Sequence, residues 1–181
     1  MSQRAPNRIA LIVTDASPLI TLSNTKALDT LLTLNMRIII PDMVRFEVIH
    51  QSDNPGTKEV LDWIRKHDLQ EVFVGSTEVF EEFSFLSRIN PLTKSQNRGE
   101  CAAAEILDRE IAGGVEAALL LFEDSDLKKS SFHMRIPPHV LPISVSSLPV
   151  KRAGILNREE IPMHGAEDLV DSFEESFPRP K

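Results

Sequence analysis

Ile9-Ala10-Leu11-Ile12-Val13-Thr14 runs without interruption into Asp15, and Ser17-Pro18 then opens a helical pattern. A continuous, β-branched-rich apolar run bounded by turn signals is the mark of a buried, parallel strand. Ser17 is a favoured N-cap and Pro18 a favoured first helical residue, so the strand is expected to pass straight into a helix at that point. Asp15 then stands at the carboxyl end of a central strand, where open α/β sheets bind their ligands.

Other stretches repeat the alternation. Arg37-Ile38-Ile39-Ile40 is a second short buried strand, stopped by Pro41. Asp42 is placed to cap a helix from Met43 to His50, and Thr57 one that runs to His67. Ser17 to Asn24 and Ala27 to Leu34 form two short helices, and Glu71 to Val74 a minor strand. Glu78 to Arg88 is an aromatic helix (Phe80, Phe83, Phe85) that suits a core better than a binding surface. Asn97-Arg98-Gly99-Glu100 opens an alanine-rich helix that Gly113-Gly114 ends. Ala117 to Phe122 is another buried strand and, like the first, runs into acids: Glu123-Asp124-Ser125-Asp126. Short helices near Leu127 to Phe132 and Leu148 to Ala153, with a strand near Val140 to Val145, complete the pattern. Strands alternating with helices, with crossovers long enough for parallel pairing, predict an α/β fold: a three-layer α/β/α sandwich around a central, mostly parallel sheet.

The chain of 181 residues is 41% apolar and 26% charged, the balance of one water-exposed domain with room for a core. No apolar run reaches the ~18 residues of a membrane span, and Met1 to Arg8 lacks the layout of a secretory signal. The single Cys101 excludes an internal disulfide and fits a reducing compartment, so a cytoplasmic setting is expected. The net charge of −7 is uneven: residues 157–181 hold seven acids against three bases, which leaves −3 for residues 1–156. The division expected is therefore a domain over 1–156 and an acidic C-terminal tail over 157–181. A body whose acids gather around bound cations leaves the rest of its surface close to neutral, so the total charge does not exclude nucleic acid.

Four acids attract attention: Asp15 and Asp124 at strand ends, Glu47 and Glu100 on helices. Hard cations such as Mg²⁺ and Mn²⁺ take oxygen ligands, and Mg²⁺ uses one or two carboxylates while keeping several waters. Such ions activate water and stabilise displacement at a phosphodiester. Taken singly, each acid also has an ordinary role. Asp15 suits a turn, Glu47 a solvated helix face, Glu100 a capping box with Asn97, and Asp124 a helix cap. Competing chemistries lack their motifs: there is no Gly-x-Gly-x-x-Gly, no P-loop and no Gly-x-Ser-x-Gly. The five histidines have no zinc spacing, and Cys101 sits inside the alanine-rich helix as a small core residue.

Val13-Thr14-Asp15-Ala16-Ser17-Pro18-Leu19-Ile20, then Pro41 with Glu47-Val48, Gly99-Glu100 with Ala103-Ala104, and Leu120-Leu121-Phe122-Glu123-Asp124 together resemble the PIN-domain family. Val140 to Ser144 and Lys151 to Leu156 are similar to the closing strand and helix of VapC-like bacterial toxin ribonucleases of that family. The resemblance spans Ile9 to Leu156. It implies an acidic site at one edge of a parallel sheet and Mg²⁺- or Mn²⁺-dependent endoribonuclease activity. It also implies an RNA substrate, a homodimer and a small antitoxin protein that enters the acidic groove. By position, Asp15, Glu47, Glu100 and Asp124 match the family's acids, Asp126 is a fifth candidate, and Ser17 matches a small hydroxyl residue near the first aspartate. Glu100 stands where many relatives carry Asp, and which of Glu123, Asp124 and Asp126 faces the metal stays open.

Two functions are expected to compete. The first is a metal-dependent ribonuclease in which Asp15, Glu100 and Asp124 hold the ion and Glu47 and Asp126 position water. Arg45, Lys94, Arg98, Lys128 and Lys129 would hold the RNA backbone. The second is a PIN-like binding and assembly module with little or no catalysis. A phospho-receiver or acidic-pocket phosphatase is weaker, because the second residue after Asp15 is Ser17 and not a second Asp.

Overall fold

Each apolar run identified above becomes a strand, and all the strands point the same way. The computed structural model describes residues 9–51, 54–95, 97–122 and 139–144. In chain order these form β1 (Ile9–Thr14), α1 (Ala16–Asn24), α2 (Thr30–Thr33), β2 (Arg37–Pro41), α3 (Asp42–His50), α4 (Thr57–His67), β3 (Val72–Gly75), α5 (Glu78–Ile89), α6 (Arg98–Ala112), β4 (Ala117–Phe122) and β5 (Val140–Ser144). The strands make one five-stranded sheet in the order β3-β2-β1-β4-β5, with every neighbouring pair parallel.

Strand residues alternate between two apolar layers, as the two-residue period of a strand requires. Ile12, Ile38, Ile40, Leu119 and Leu121 face one layer, closed by Leu19 and Leu22 of α1, Val44 and Val48 of α3, and Val60 and Ile64 of α4. Leu11, Val13, Ile39, Ala118 and Leu120 face the other, closed by Ala103, Ile106 and Leu107 of α6. A third, smaller cluster joins Met43 of α3, Phe83 of α5 and Ala102 of α6. The three-layer sandwich expected from the alternation is the observed one.

The chain builds β1, β2 and β3 outward in one direction, then returns to place β4 on the free side of β1. The order reverses between β1 and β4, and such reversals leave a crevice beyond the strands' carboxyl ends. Thr14 lies opposite Leu121, and the Asp15 N–H donates to the Leu121 carbonyl at 3.3 Å. Asp15 therefore stands at the mouth of that crevice.

Several helix starts differ from expectation. Asp15, not Ser17, is the N-cap of α1, with extended backbone (φ −89°, ψ 175°). Ser17 is an exposed first-turn residue, and Pro18 falls at the third helical position, where a missing N–H is still harmless. Pro41 is the last residue of β2, paired with Gly75, and also the N-cap of α3, so Asp42 is the first helical residue and not the cap. Similarly, Gly56 (φ 90°) caps α4 and Thr57 begins it. The Asn97–Glu100 capping box is not formed. Asn97 adopts a left-handed conformation (φ 62°) and makes no side-chain cap bond, because a capping side chain needs extended backbone to reach back over the first amides. The helix expected from Ala27 to Leu34 shrinks to Thr30–Thr33; before it, three-residue turn bonds link Thr30 to Ala27 and Leu31 to Leu28. The aromatic helix is only partly core: Phe83 is 4% exposed and Phe85 62%. The short helices near Leu127 to Phe132 and Leu148 to Ala153, and the tail 157–181, lie outside the described residues.

Candidate active site

Helix geometry brings two further acids to the same place. In α3, Met43, Val44 and Val48 are buried, and Glu47 falls four positions beyond Met43 and three beyond Val44. That spacing puts it at the margin of the inward face, half-buried between core and solvent. In α6, the buried stripe is Gly99, Ala102, Ala103 and Ile106, and it begins at the crevice. Glu100 follows at its flank, also half-buried.

Asp15 and Glu47 meet over Gly99. A β-carbon on Gly99 would lie 2.6 Å from Glu47 Oε2 and 2.8 Å from Asp15 Oδ1, closer than real β-carbon contacts. Burial pushes the Glu47 carboxyl up from 4.5 to about 7, and the charge of Asp15 adds to the rise. A hydrogen bond from the Gly99 backbone works against this, and the charge of Glu100 contributes a further, smaller rise. β1, α3 and α6 thus deliver Asp15, Glu47 and Glu100 to one electrostatic neighbourhood.

Two buttresses hold the helices that carry these acids. Asp42, on the first turn of α3, accepts from the Thr77 hydroxyl at 2.6 Å, the Thr77 N–H at 3.0 Å and the Met43 N–H at 2.8 Å. Glu105, on α6, accepts from the Glu78 and Val79 N–H groups at 2.8 and 3.2 Å. Both therefore bind the start of α5, which Thr77 also caps by accepting from the Phe80 N–H. Sequence reading missed this arrangement, because the partners are far apart in the chain. The one available signal for Gly99 was a glycine within an otherwise alanine-rich helix.

Asp124 and Asp126, with Lys128 and Lys129, lie outside the described residues; Asp124 follows the last residue of β4, Phe122, by two positions. Arg45 and Lys94 are exposed. Arg98 is turned toward α5, with its guanidinium 5.4 Å from the Phe83 ring centre and 4.0 Å from Glu82.

Residues 11–89 match the family described as a PIN domain. The fold is PIN-like. The match supports the PIN-domain family, and the five-stranded parallel sheet flanked by helices agrees with it. No curated protein matches the chain. Among the described residues, no helix of this PIN-like fold is long and apolar enough to cross a membrane.

PIN-type activity implies a divalent ion, which needs hard oxygen donors at the site. Among the described residues, no group of three or more His, Cys, Asp and Glu is arranged as a metal cage. The donors that do converge are carboxylates only, the hard oxygen set that Mg²⁺ and Mn²⁺ prefer. Two of them, Asp15 and Glu47, crowd the position over Gly99 that a side chain would fill. Like charges held together against their repulsion are what a cation relieves, so the residues present fit a divalent ion.

Proposed function

We propose that this protein is a PIN-type, Mg²⁺- or Mn²⁺-dependent endoribonuclease. The observation that carries the reading is the convergence of Asp15 and Glu47 over Gly99 with Glu100 beside them, at the switch point between β1 and β4. Asp15, Glu100 and Asp124 are the residues proposed to hold the ion. When bound, such an ion lowers the pKa of water and stabilises charge developing on a phosphate.

Glu47 and Asp126 are proposed to orient water for attack on the scissile phosphate. In the metal-free site, burial and the charge of Asp15 push the Glu47 carboxyl up to about 7. A cation beside it would draw that value down again. Arg45, Lys94 and Arg98, with Lys128 and Lys129, are the proposed contacts to the RNA backbone, where such contacts set affinity and its dependence on salt. Arg98 would have to leave Phe83 or use the part of its guanidinium that faces away from the ring.

Extending the resemblance, we place the protein in the cytoplasm as the toxin of a toxin–antitoxin pair, with a homodimer and a small antitoxin protein as its partners. A second reading, a PIN-like binding and assembly module with little or no catalysis, is favoured by the apolar side chains of Phe85, Ile89 and Leu92, all exposed.

The deciding experiment is cleavage of single-stranded RNA with Mg²⁺, with Mn²⁺ and with EDTA, comparing the wild type with Asp15→Asn and Asp124→Asn. Metal-dependent cleavage lost in both variants is the expected result. Equal activity in all three proteins overturns the nuclease reading, and no cleavage by any of them leaves the assembly module.

A further inference from the structure

Gly99 is a helical residue in the first turn of α6, and its backbone is not in the left-handed region that favours glycine. Nothing in its conformation therefore calls for a missing side chain, and glycine is a poor helix former beside the alanines that follow it. What the position requires is space. Two of the three atoms nearest to its absent β-carbon are the carboxylate oxygens Glu47 Oε2 and Asp15 Oδ1, and the third is Glu47 Cδ at 3.3 Å. No backbone atom of α3 or β1 is among them.

We propose that Gly99 is a positioning residue for the acidic site, whose missing side chain lets Asp15 and Glu47 share one space and so sets the affinity for a divalent cation. The ion-binding half of this inference rests on the nuclease reading; the geometric half does not. The Gly99 backbone hydrogen bond to Glu47 supports the role, because it uses one of the amides that a helix start leaves unpaired and favours the charged carboxylate.

The identity of the clashing atoms predicts an unusual mutant. Both acids are ends of rotatable side chains, so a methyl group at position 99 can be accommodated by displacing them while the backbone stays in place. The fold is then retained and the site is what changes. A glycine needed for helix packing would show the reverse.

The test has a metal arm and a metal-free arm, both on the full chain. By calorimetric titration with Mn²⁺, Gly99→Ala is expected to bind at least ~10-fold more weakly than wild type. Glu47→Asp, which withdraws the carboxylate by one methylene, is expected to cost less in the Gly99→Ala background than in the wild type. In EDTA, Gly99→Ala is expected to raise the melting temperature more in a Glu47→Ala background than in the wild type, because there two of the three opposing atoms are gone and only Asp15 Oδ1 has to give way. Equal melting shifts in the two backgrounds overturn the inference, as does unchanged Mn²⁺ affinity in a wild type that binds the ion. If the wild type binds no Mn²⁺ but the melting shifts differ, the geometric role of Gly99 stands and the metal-dependent nuclease reading fails.

Discussion

Glu47 of α3 and Asp15 at the end of β1 point their carboxylates into the same space above Gly99, and the charge of Asp15 helps hold the Glu47 carboxyl near 7. Neutralising either partner removes a repulsion that the metal-free fold has to bear. Asp15→Asn is expected to stabilise the EDTA-treated protein at pH 8 by about 1 kcal/mol while RNA cleavage falls at least ~100-fold, as loss of a principal metal ligand implies. Thermal melting and an RNA cleavage assay read the two effects in opposite directions.

Acid should strengthen the metal-free protein. Glu47 is raised from 4.5 to about 7 on folding, so between those values the native state binds more protons than the unfolded state. Stability from this group is complete below about 4.5 and is lost as the pH rises through 7, the reverse of an ordinary ion-paired carboxylate. Discounted for the solvent that screens a half-buried carboxyl, the loss is about 1–2 kcal/mol. Urea denaturation in EDTA from pH 5 to 8 measures it, and the trend should vanish in Glu47→Gln. Millimolar Mn²⁺ should restore the wild type more at pH 8 than at pH 5.

The bridge from Asp42 to Thr77 is a structural prediction independent of metal. Asp42→Ala leaves the partly buried Thr77 N–H and hydroxyl without their acceptor and is expected to cost about 2–3 kcal/mol in urea denaturation. Because Asp42 and Glu47 share α3, Mn²⁺ affinity should fall as well, by less than Asp15→Asn reduces it.

Leu121 links the core to the site. It is fully buried in the layer under α1 and α3, and its carbonyl receives the Asp15 N–H. Leu121→Ala is expected to cost about 3 kcal/mol through the lost transfer energy and the cavity left behind. Chemical denaturation checks it.

Phe83 and Phe85 are two residues apart on α5 and chemically identical, yet only Phe83 packs against Met43 and Ala102. Phe83→Ala should cost about 3–4 kcal/mol, whereas Phe85→Ser should fall within about 0.5 kcal/mol of the wild type. The pair is a direct check on the orientation of α5.

The architecture was legible in local pattern. Apolar runs of strand length separated by amphipathic helices determine the alternation, and the run ending at Asp15 determines that an acid stands at a sheet edge. The helix over Thr57 to His67 and the strand over Ala117 to Phe122 follow from spacing and propensity, which act between near neighbours. Cap geometry was less legible. Ser17 and Asn97 have the right chemistry, but the strand-to-helix turn gave the first role to Asp15, and a left-handed backbone denied Asn97 the second.

The site itself is a tertiary product. Taken singly, Glu47 and Glu100 read as ordinary helix acids, because the burial and the Asp15 and Glu100 charges that set Glu47 apart have no sequence period. Asp42 finds Thr77 across 35 positions, and Glu105 finds Glu78 across 27, by the packing of α3 and α6 against α5. Asp15 and the parallel sheet belong to the sequence alone, because backbone hydrogen bonding and strand burial impose them locally. The meeting of Asp15 with Glu47 over Gly99 belongs to the fold, because only packing brings three separate elements close enough for one missing β-carbon to matter.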